Sequence, residues 1–341
     1  MSLTELEFQA ETAGEASAQA IQGRSPWVLA WRRLRHDKMA IASAIVILVL
    51  ALLAILAPVI SSLVGHPPDQ PYTNTGLSST GLPVGPNSTF LFGTDQLGRD
   101  LFSRVIYGAQ ISLLVGVVST AIGTAAGVTI GMTAGYFGGW VDNLLARFID
   151  SVLAFPYIVL ALALAVVFGP SLLELIAVIA FFSWAAIARI VRGQTLSIKE
   201  KEYIEAARSI GAGPWRIMFI DILPNLIAPV LVLATLAIPT AIVFEATLSY
   251  LGVGVQPPTS SWGNLLSQAQ GFYQTSWWYL IFPAIFLLAT TLAFNLLGDG
   301  IRDALDPRTE RVFAAQRGRG RGRRRGAQGN KAAAPPAAEV N

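Results

Sequence analysis

Cysteine is absent from this 341-residue chain, which excludes disulfides, thiolate zinc sites and a thiol nucleophile. Histidine is nearly absent as well. His36 and His66 lie on opposite sides of the first long apolar run, so they cannot share a metal. No Gly-x-x-x-x-Gly-Lys-Ser/Thr segment occurs, so any ATP spent on this chain's behalf is hydrolysed by another subunit. Charge is the third scarcity: 13% of residues are charged and 53% hydrophobic, where a soluble domain carries about a quarter charged. With a mean hydropathy of +0.54, the composition is that of an integral membrane protein. Neither a metal nor a cofactor is expected.

What is abundant is long apolar sequence. A bilayer core about 30 Å thick takes roughly 20 apolar residues in a helix. Six runs qualify: Met39 to Val64, Val105 to Val141, Leu144 to Phe168, Leu172 to Val191, Ile222 to Leu251 and Trp277 to Leu297. The expected fold is therefore an all-α membrane protein with six transmembrane helices. No cleavable signal peptide is expected, because the first run starts too far in and is too long. Arg32, Arg33, Arg35 and Lys38 precede the first run, and no Lys or Arg occurs from Met39 to Leu97 or between Arg216 and Arg302. Positive charge marks the cytoplasmic side, so both termini are expected inside and the uncharged loop Gly252 to Ser276 outside.

The resulting organisation is a cytoplasmic segment over 1–38, a first span over 39–64, an external loop over 65–104, a five-span core over 105–301 and a basic tail over 302–341. Within 1–38, Ser25 starts a short helix with Trp27, Trp31 and Leu34 on one side and arginines on the other, an interfacial pattern. Residues 312–341 carry seven Lys/Arg against Glu339. The run Arg317 to Arg325 has RGG-like composition, but aromatics for base stacking are missing from Ala314 onward. A solvated tail or attraction to anionic lipid accounts for it, and no nucleic acid is expected.

Lys201 to Asn225, between two apolar runs, reads as a polar helical hairpin. Tyr203, Ala206, Ala207 and Ile210 recur at i, i+3, i+4 and i+7, and the two alanines give a shallow face for close approach by another protein. Gly211 and Gly213 turn the chain sharply, and Pro214 suits the first turn of a new helix. A loop folded back on its own bundle is the plain alternative to a docking element.

Glu205-Ala206-Ala207, Gly211 and Leu223-Pro224 resemble the EAA loop of bacterial ABC importer permeases; Asp221 stands where that loop usually carries an apolar residue. The resemblance implies a cytoplasmic coupling loop over 199–224, with Tyr203, Glu205, Ala206, Ala207, Gly211, Leu223 and Pro224 received by an ATPase subunit. Three further stretches are similar to the second permease of the peptide/nickel class: Phe92-Gly93-Thr94-Asp95 with Leu97-Gly98-Arg99-Asp100 and Ser103-Arg104; Pro257-Pro258 with Trp262-Gly263; and Ala293 to Gly300 with Arg302-Asp303 and Asp306-Pro307. The resemblance implies a type I ABC importer permease fold in the bacterial inner (plasma) membrane. It also implies a second homologous permease, two ATPase subunits, an extracytoplasmic solute-binding protein and a peptide substrate. The segment Gly65 to Asn87 is richer in Pro, Gly, Ser and Thr than that family leads one to expect.

Ionisable residues within spans are costly and mark function or pairing. Asp150, Arg189, Glu245 and Asp299 fall in or at the ends of spans. Arg147 stands three residues before Asp150 and is its nearest expected partner. Glu245 fits either a group lining the translocation path or a buried carboxylate bonded to an arginine or a backbone N–H. Asp299 fits a helix-end contact. Gly123, Gly127, Gly131 and Gly135 form a small-xxx-small series for close helix packing, within the bundle before a subunit interface. Import of di- or oligopeptides leads the functional reading. Nickel chelates or oligosaccharides are the alternatives within transport, and a six-span intramembrane enzyme is the alternative outside it, although no span contains a histidine or a paired acid motif.

Overall fold

The computed structural model describes residues 26–305, and every regular element in them is a helix. The described residues divide into two units, 37–300 and a small one joining 26–36 to 301–305. In the small unit, helix α1 (Pro26–Leu34) meets the last turn of the final helix, where the Arg33 guanidinium donates to the Ala304 carbonyl at 3.3 Å. The Arg-rich tail, Ser25, Asp306 and Pro307 lie outside the described residues.

The larger unit begins with α2 (Lys38–Ile55), capped by Asp37, whose Oδ1 accepts from the N–H groups of Met39 at 2.9 Å and Ala40 at 3.3 Å. The first expected span does not continue to Val64 as one helix. It breaks at Leu56 and resumes as α3 (Ala57–Val64), because Pro58 cannot donate to Ala54 and its ring crowds that carbonyl. The segment after Gly65 contains one short helix, α4 (Thr73–Gly76). The second span is α5 (Leu101–Phe137), starting four residues earlier than expected because Asp100 caps it, and ending at Gly138 with φ 66°. Its 37 residues measure about 55 Å, well beyond a hydrocarbon core of about 30 Å.

The third expected span is broken. Helix α6 (Gly139–Ala154) and helix α7 (Tyr157–Phe168) meet at Phe155-Pro156 with an 82° bend. Among the described residues, five helices are thus long and apolar enough to cross a membrane, and the count of six holds only if this bent pair is one span. Pro156 is the cause, since proline disfavours helix at the residue before it. The remaining helices are α8 (Leu172–Ile198), α9 (Glu202–Ser209), α10 (Pro214–Tyr250), α11 (Trp262–Ala269) and α12 (Trp277–Leu305). The hairpin's second helix is not separate from the fifth span. Helix α10 runs from Pro214 without a break through a π-helical stretch at Ile217–Ile222, and Asp221 lies within that stretch.

Helix α5 is the axis of this unit. Its C-terminal half lies on α8, and its N-terminal half meets α10 and α11. Gly127 shows why the α8 contact is close: a Cβ there would lie 2.7 Å from the Trp184 carbonyl and 2.9 Å from Ile187. Gly131 and Gly135 face Ala188 and Thr195, and Gly123 faces Ser183. The glycine series therefore packs within the chain. The loop after α10, read as plain external sequence, holds the buried helix α11. Trp262 is fully enclosed, its indole N–H donates to the Val105 carbonyl at 3.0 Å, and Gly263 lets α11 sit on the Ala246 backbone.

Candidate functional site

The hairpin after α8 is anchored by one residue that periodicity missed. Ile204 is fully buried in a cluster with Ile217, Met218, Ile222 and Leu226, a burial worth about 1.5–3 kcal/mol. Ala207 leans on the same cluster, so it belongs partly to the inward side and not wholly to the stripe shared with Tyr203, Ala206 and Ile210. Tyr203, Glu205, Ala206 and Ile210 are exposed, Ile210 at 79%. Glu202 and Glu205 stand in the first turn of α9 and Arg208 in its last, each sign matching the helix dipole. Arg208 also lies over the Tyr136 ring at 5.4 Å, tying α9 to the end of α5.

The turn out of α9 needs glycine. Gly211 has φ 84°, and a Cβ added to it would meet no atom within 4 Å, so a side chain there meets backbone strain and no steric obstacle. Pro214 opens α10, Leu223 is half-buried against the Ile204 cluster, and Pro224 is exposed. Beyond the turn Trp215 is 65% exposed. The hairpin thus presents, on a fixed inner anchor, an outer surface of exposed apolar residues with charges of both signs, Glu202 and Glu205 beside Lys201, Arg208 and Arg216. An exposed apolar surface is where proteins dock.

The polar groups of the spans are arranged differently from the expectation. Glu245 is fully buried. Its oxygens accept from the hydroxyls of Ser112 and Ser249, each at 2.8 Å, and not from an arginine or a backbone N–H. Those hydroxyls in turn accept from the N–H groups of Trp262 at 3.4 Å and Val255 at 3.0 Å, so one carboxylate links α5, α10 and α11. Asp150 pairs with Arg189 at 2.6 Å across helices and not with Arg147, and both partners are exposed. A second pair between α6 and α8, Asp142 with Arg192, is bidentate and was not anticipated. Asp299 is exposed.

The motif before α5 forms a buried lock. Asp95 accepts from Arg99 Nε at 2.7 Å and from the N–H groups of Leu97 and Arg99, and Arg104 Nε lies 3.3 Å away. Arg99 reaches Gln268 on α11 at 3.3 Å, and Gln268 accepts from Tyr279 at 3.0 Å. Burial pushes the Asp100 carboxyl up, against the opposing pull of hydrogen bonds from Ser103 and Phe102 and of His66. The Tyr72 hydroxyl is likewise raised, first by burial and then by Asp100. This is loop architecture holding α5, α11 and α12 together.

Comparison with known proteins bears on most of the chain. Residues 127–311 match the family described as "Binding-protein-dependent transport system inner membrane component". Residues 25–79 match "N-terminal TM domain of oligopeptide transport permease C". The oligopeptide transport system permease protein OppC of Escherichia coli (strain K12) is 46% identical over 84% of this chain and 93% of that protein. The glutathione transport system permease protein GsiD of Escherichia coli O6:K15:H31 is 44% identical over 84% of this chain and 92% of its own length. A solved inward-facing MetNI methionine ABC transporter superposes with a TM-score of 0.50 at 19% identity, covering 60% of this chain and 96% of that one; at that identity the likeness concerns the fold.

Proposed function

Because the chain belongs to the family of binding-protein-dependent transport system inner membrane components, we propose that it is a permease subunit through which an ATP-driven ABC importer passes di- and oligopeptides across the bacterial inner membrane. It is a transport subunit and not an enzyme. The relatives named for oligopeptides and for glutathione, both peptidic, favour a peptide cargo over nickel chelates or oligosaccharides. An ABC permease works with ATPase subunits, a second permease and a binding protein. In our reading these are two ATPases, one homologous permease and one extracytoplasmic receptor, with both termini of this chain in the cytoplasm.

One observation carries the mechanism: α9 is fixed to the bundle through Ile204 while Glu205 and Ala206 face outward. A lever needs such a pair of faces. Displacement of α9 by a closing ATPase is passed to Ile217, Met218 and Ile222, and so into the continuous helix α10. The transported state is then selected by nucleotide in the partner, not by any ligand-driven chemistry in this chain.

Gly211→Val and Glu205→Lys test this reading together. Val strains a turn at φ 84°, and Lys reverses the charge presented to the groove. Both variants are expected at wild-type levels in the membrane, with ATPase subunits poorly retained or uncoupled and peptide uptake lost. Full uptake with normal ATPase retention in both variants would remove the coupling role.

A further inference from the structure

Two cavities meet at Tyr157. One, of about 420 Å³, lies between α7, α8 and α10 and is almost wholly apolar. The other, of about 250 Å³, lies between α7, α10 and α12 and is lined in part by Thr240, Thr247, Thr291 and Asn295. Tyr157, Thr240 and Phe244 belong to both, and neither wall contains Asp, Glu, Lys, Arg or His.

The backbone is open at the same place. Phe155, Pro156 and Tyr157 are exposed at the 82° break between α6 and α7. Pro239, on the second cavity wall, has no N–H, which frees the Thr235 carbonyl four residues earlier. Irregular backbone at membrane depth persists only inside protein or against water. The side chains point the same way. Thr240, Thr247 and Thr291 donate to carbonyls of their own helices, to Leu236, Val243 and Leu287, leaving their oxygens able to accept. Asn295 is exposed, and its amide has no hydrogen-bond partner among the described residues. An unpaired amide against lipid is costly, so this face meets water, a polar substrate or a polar surface of the second permease, and the experiment below separates these.

The spacing of the polar groups suits an extended peptide. Thr291 and Asn295 stand one turn apart on α12, about 6 Å along the axis. Two residues of extended peptide span about 6.7 Å, so successive same-face main-chain groups reach both. Asparagine both donates and accepts, as a peptide unit does. A wall without charge cannot sort substrates by the sign of their side chains. Resting on the peptide-permease reading above, we propose that this face holds an extended peptide by its main chain through Asn295 and Thr291, while the apolar cavity beside Tyr157 and Phe244 accommodates side chains without regard to charge.

The assembled transporter, with its binding protein, is assayed for uptake of three labelled tripeptides: neutral, lysine-rich and glutamate-rich. Asn295→Leu with Thr291→Val should lower uptake of all three by about tenfold to hundredfold, the rate equivalent of the two hydrogen bonds removed, and by factors within about twofold of one another. Asn295→Asp should split the set, keeping the lysine peptide and losing the glutamate peptide. Unchanged uptake in the leucine–valine variant, or loss confined to one peptide, overturns the proposal. Since the chain lacks cysteine, Thr240→Cys and Asn295→Cys give a second readout. Both should react with a small charged thiol reagent at least about tenfold faster than Val166→Cys, a 79% exposed site on α7 outside both cavities, and peptide should slow the reaction. Reaction no faster than at Val166 would mean that lipid covers the face. Loss of co-purification with the second permease in the leucine–valine variant would mean that a subunit covers it. A wild-type transporter that imports none of the three peptides removes the peptide-permease reading itself, and this proposal with it.

Discussion

The Ser112 hydroxyl on α5 donates to Glu245 Oε2 on α10 at 2.8 Å, inside an apolar bundle where neither group reaches solvent. The hydroxyl also accepts from the Trp262 N–H, so its hydrogen must point at the carboxylate. Ser249 repeats the arrangement with the Val255 N–H. Glu245 is thus the acceptor that lets two serines serve two loop amides. A buried donor left unmade costs about 1–3 kcal/mol.

Glu245→Leu should therefore cost a few kcal/mol, with two hydroxyls orphaned, and lower the melting temperature of the detergent-purified subunit by several degrees. Glu245→Gln keeps one acceptor oxygen and adds donors that a rotated hydroxyl can accept, so its loss should be about 1 kcal/mol or less. Equal melting temperatures for the two variants would contradict the clamp. Lost uptake at unchanged stability in Glu245→Leu would instead return Glu245 to the translocation path.

Orientation is tested by single cysteines, without background. Thr259 is exposed in the loop before α11, while Ser260 beside it is 4% exposed. With the loop outside, Thr259→Cys should react with an impermeant maleimide in intact cells and Ser260→Cys should stay largely unlabelled. Arg35→Cys, exposed after α1, should react only after permeabilisation. Labelling of Arg35→Cys in sealed cells would reverse the topology.

Local features were legible in the sequence and pairings were not. Gly211 announces its turn because only glycine takes φ 84° without strain, and runs of apolar residues announce spans. The break at Pro156 was hidden because Leu144 to Phe168, taken as one run, satisfies the length criterion that neither side of Pro156 meets alone. Partners distant in the chain leave no local trace: Asp150 sits three residues from Arg147 yet pairs with Arg189, 39 residues away, and Ser112 lies 133 residues before Glu245. Ile204 was missed because its neighbours share the apolar pattern, and which side of α9 turns inward depends on the cluster built by α10.

The glycines of α5 differ sharply from the glycine of α8 in what surrounds them. A Cβ on Gly127 would stand 2.7 Å from the Trp184 carbonyl, whereas one on Gly193 would meet nothing within 4 Å. Carbonyl oxygen on a facing helix cannot rotate away as a side-chain tip can, so the two helices must separate. Gly127→Val should then open the α5–α8 contact along its length and cost about 1–3 kcal/mol or more from overpacking, seen as lower yield of folded subunit and a depressed melting temperature. Gly193→Ala occupies open space in an ordinary helical position, removes backbone entropy from the unfolded chain and should raise stability by up to about 1 kcal/mol. The contrast separates the two places where a small-residue series acts. If the series served a subunit interface, Gly127→Val would leave the isolated subunit's melting temperature intact and reduce only its pairing with the second permease. The close approach within the chain predicts the loss of stability in the isolated subunit, before any partner is added.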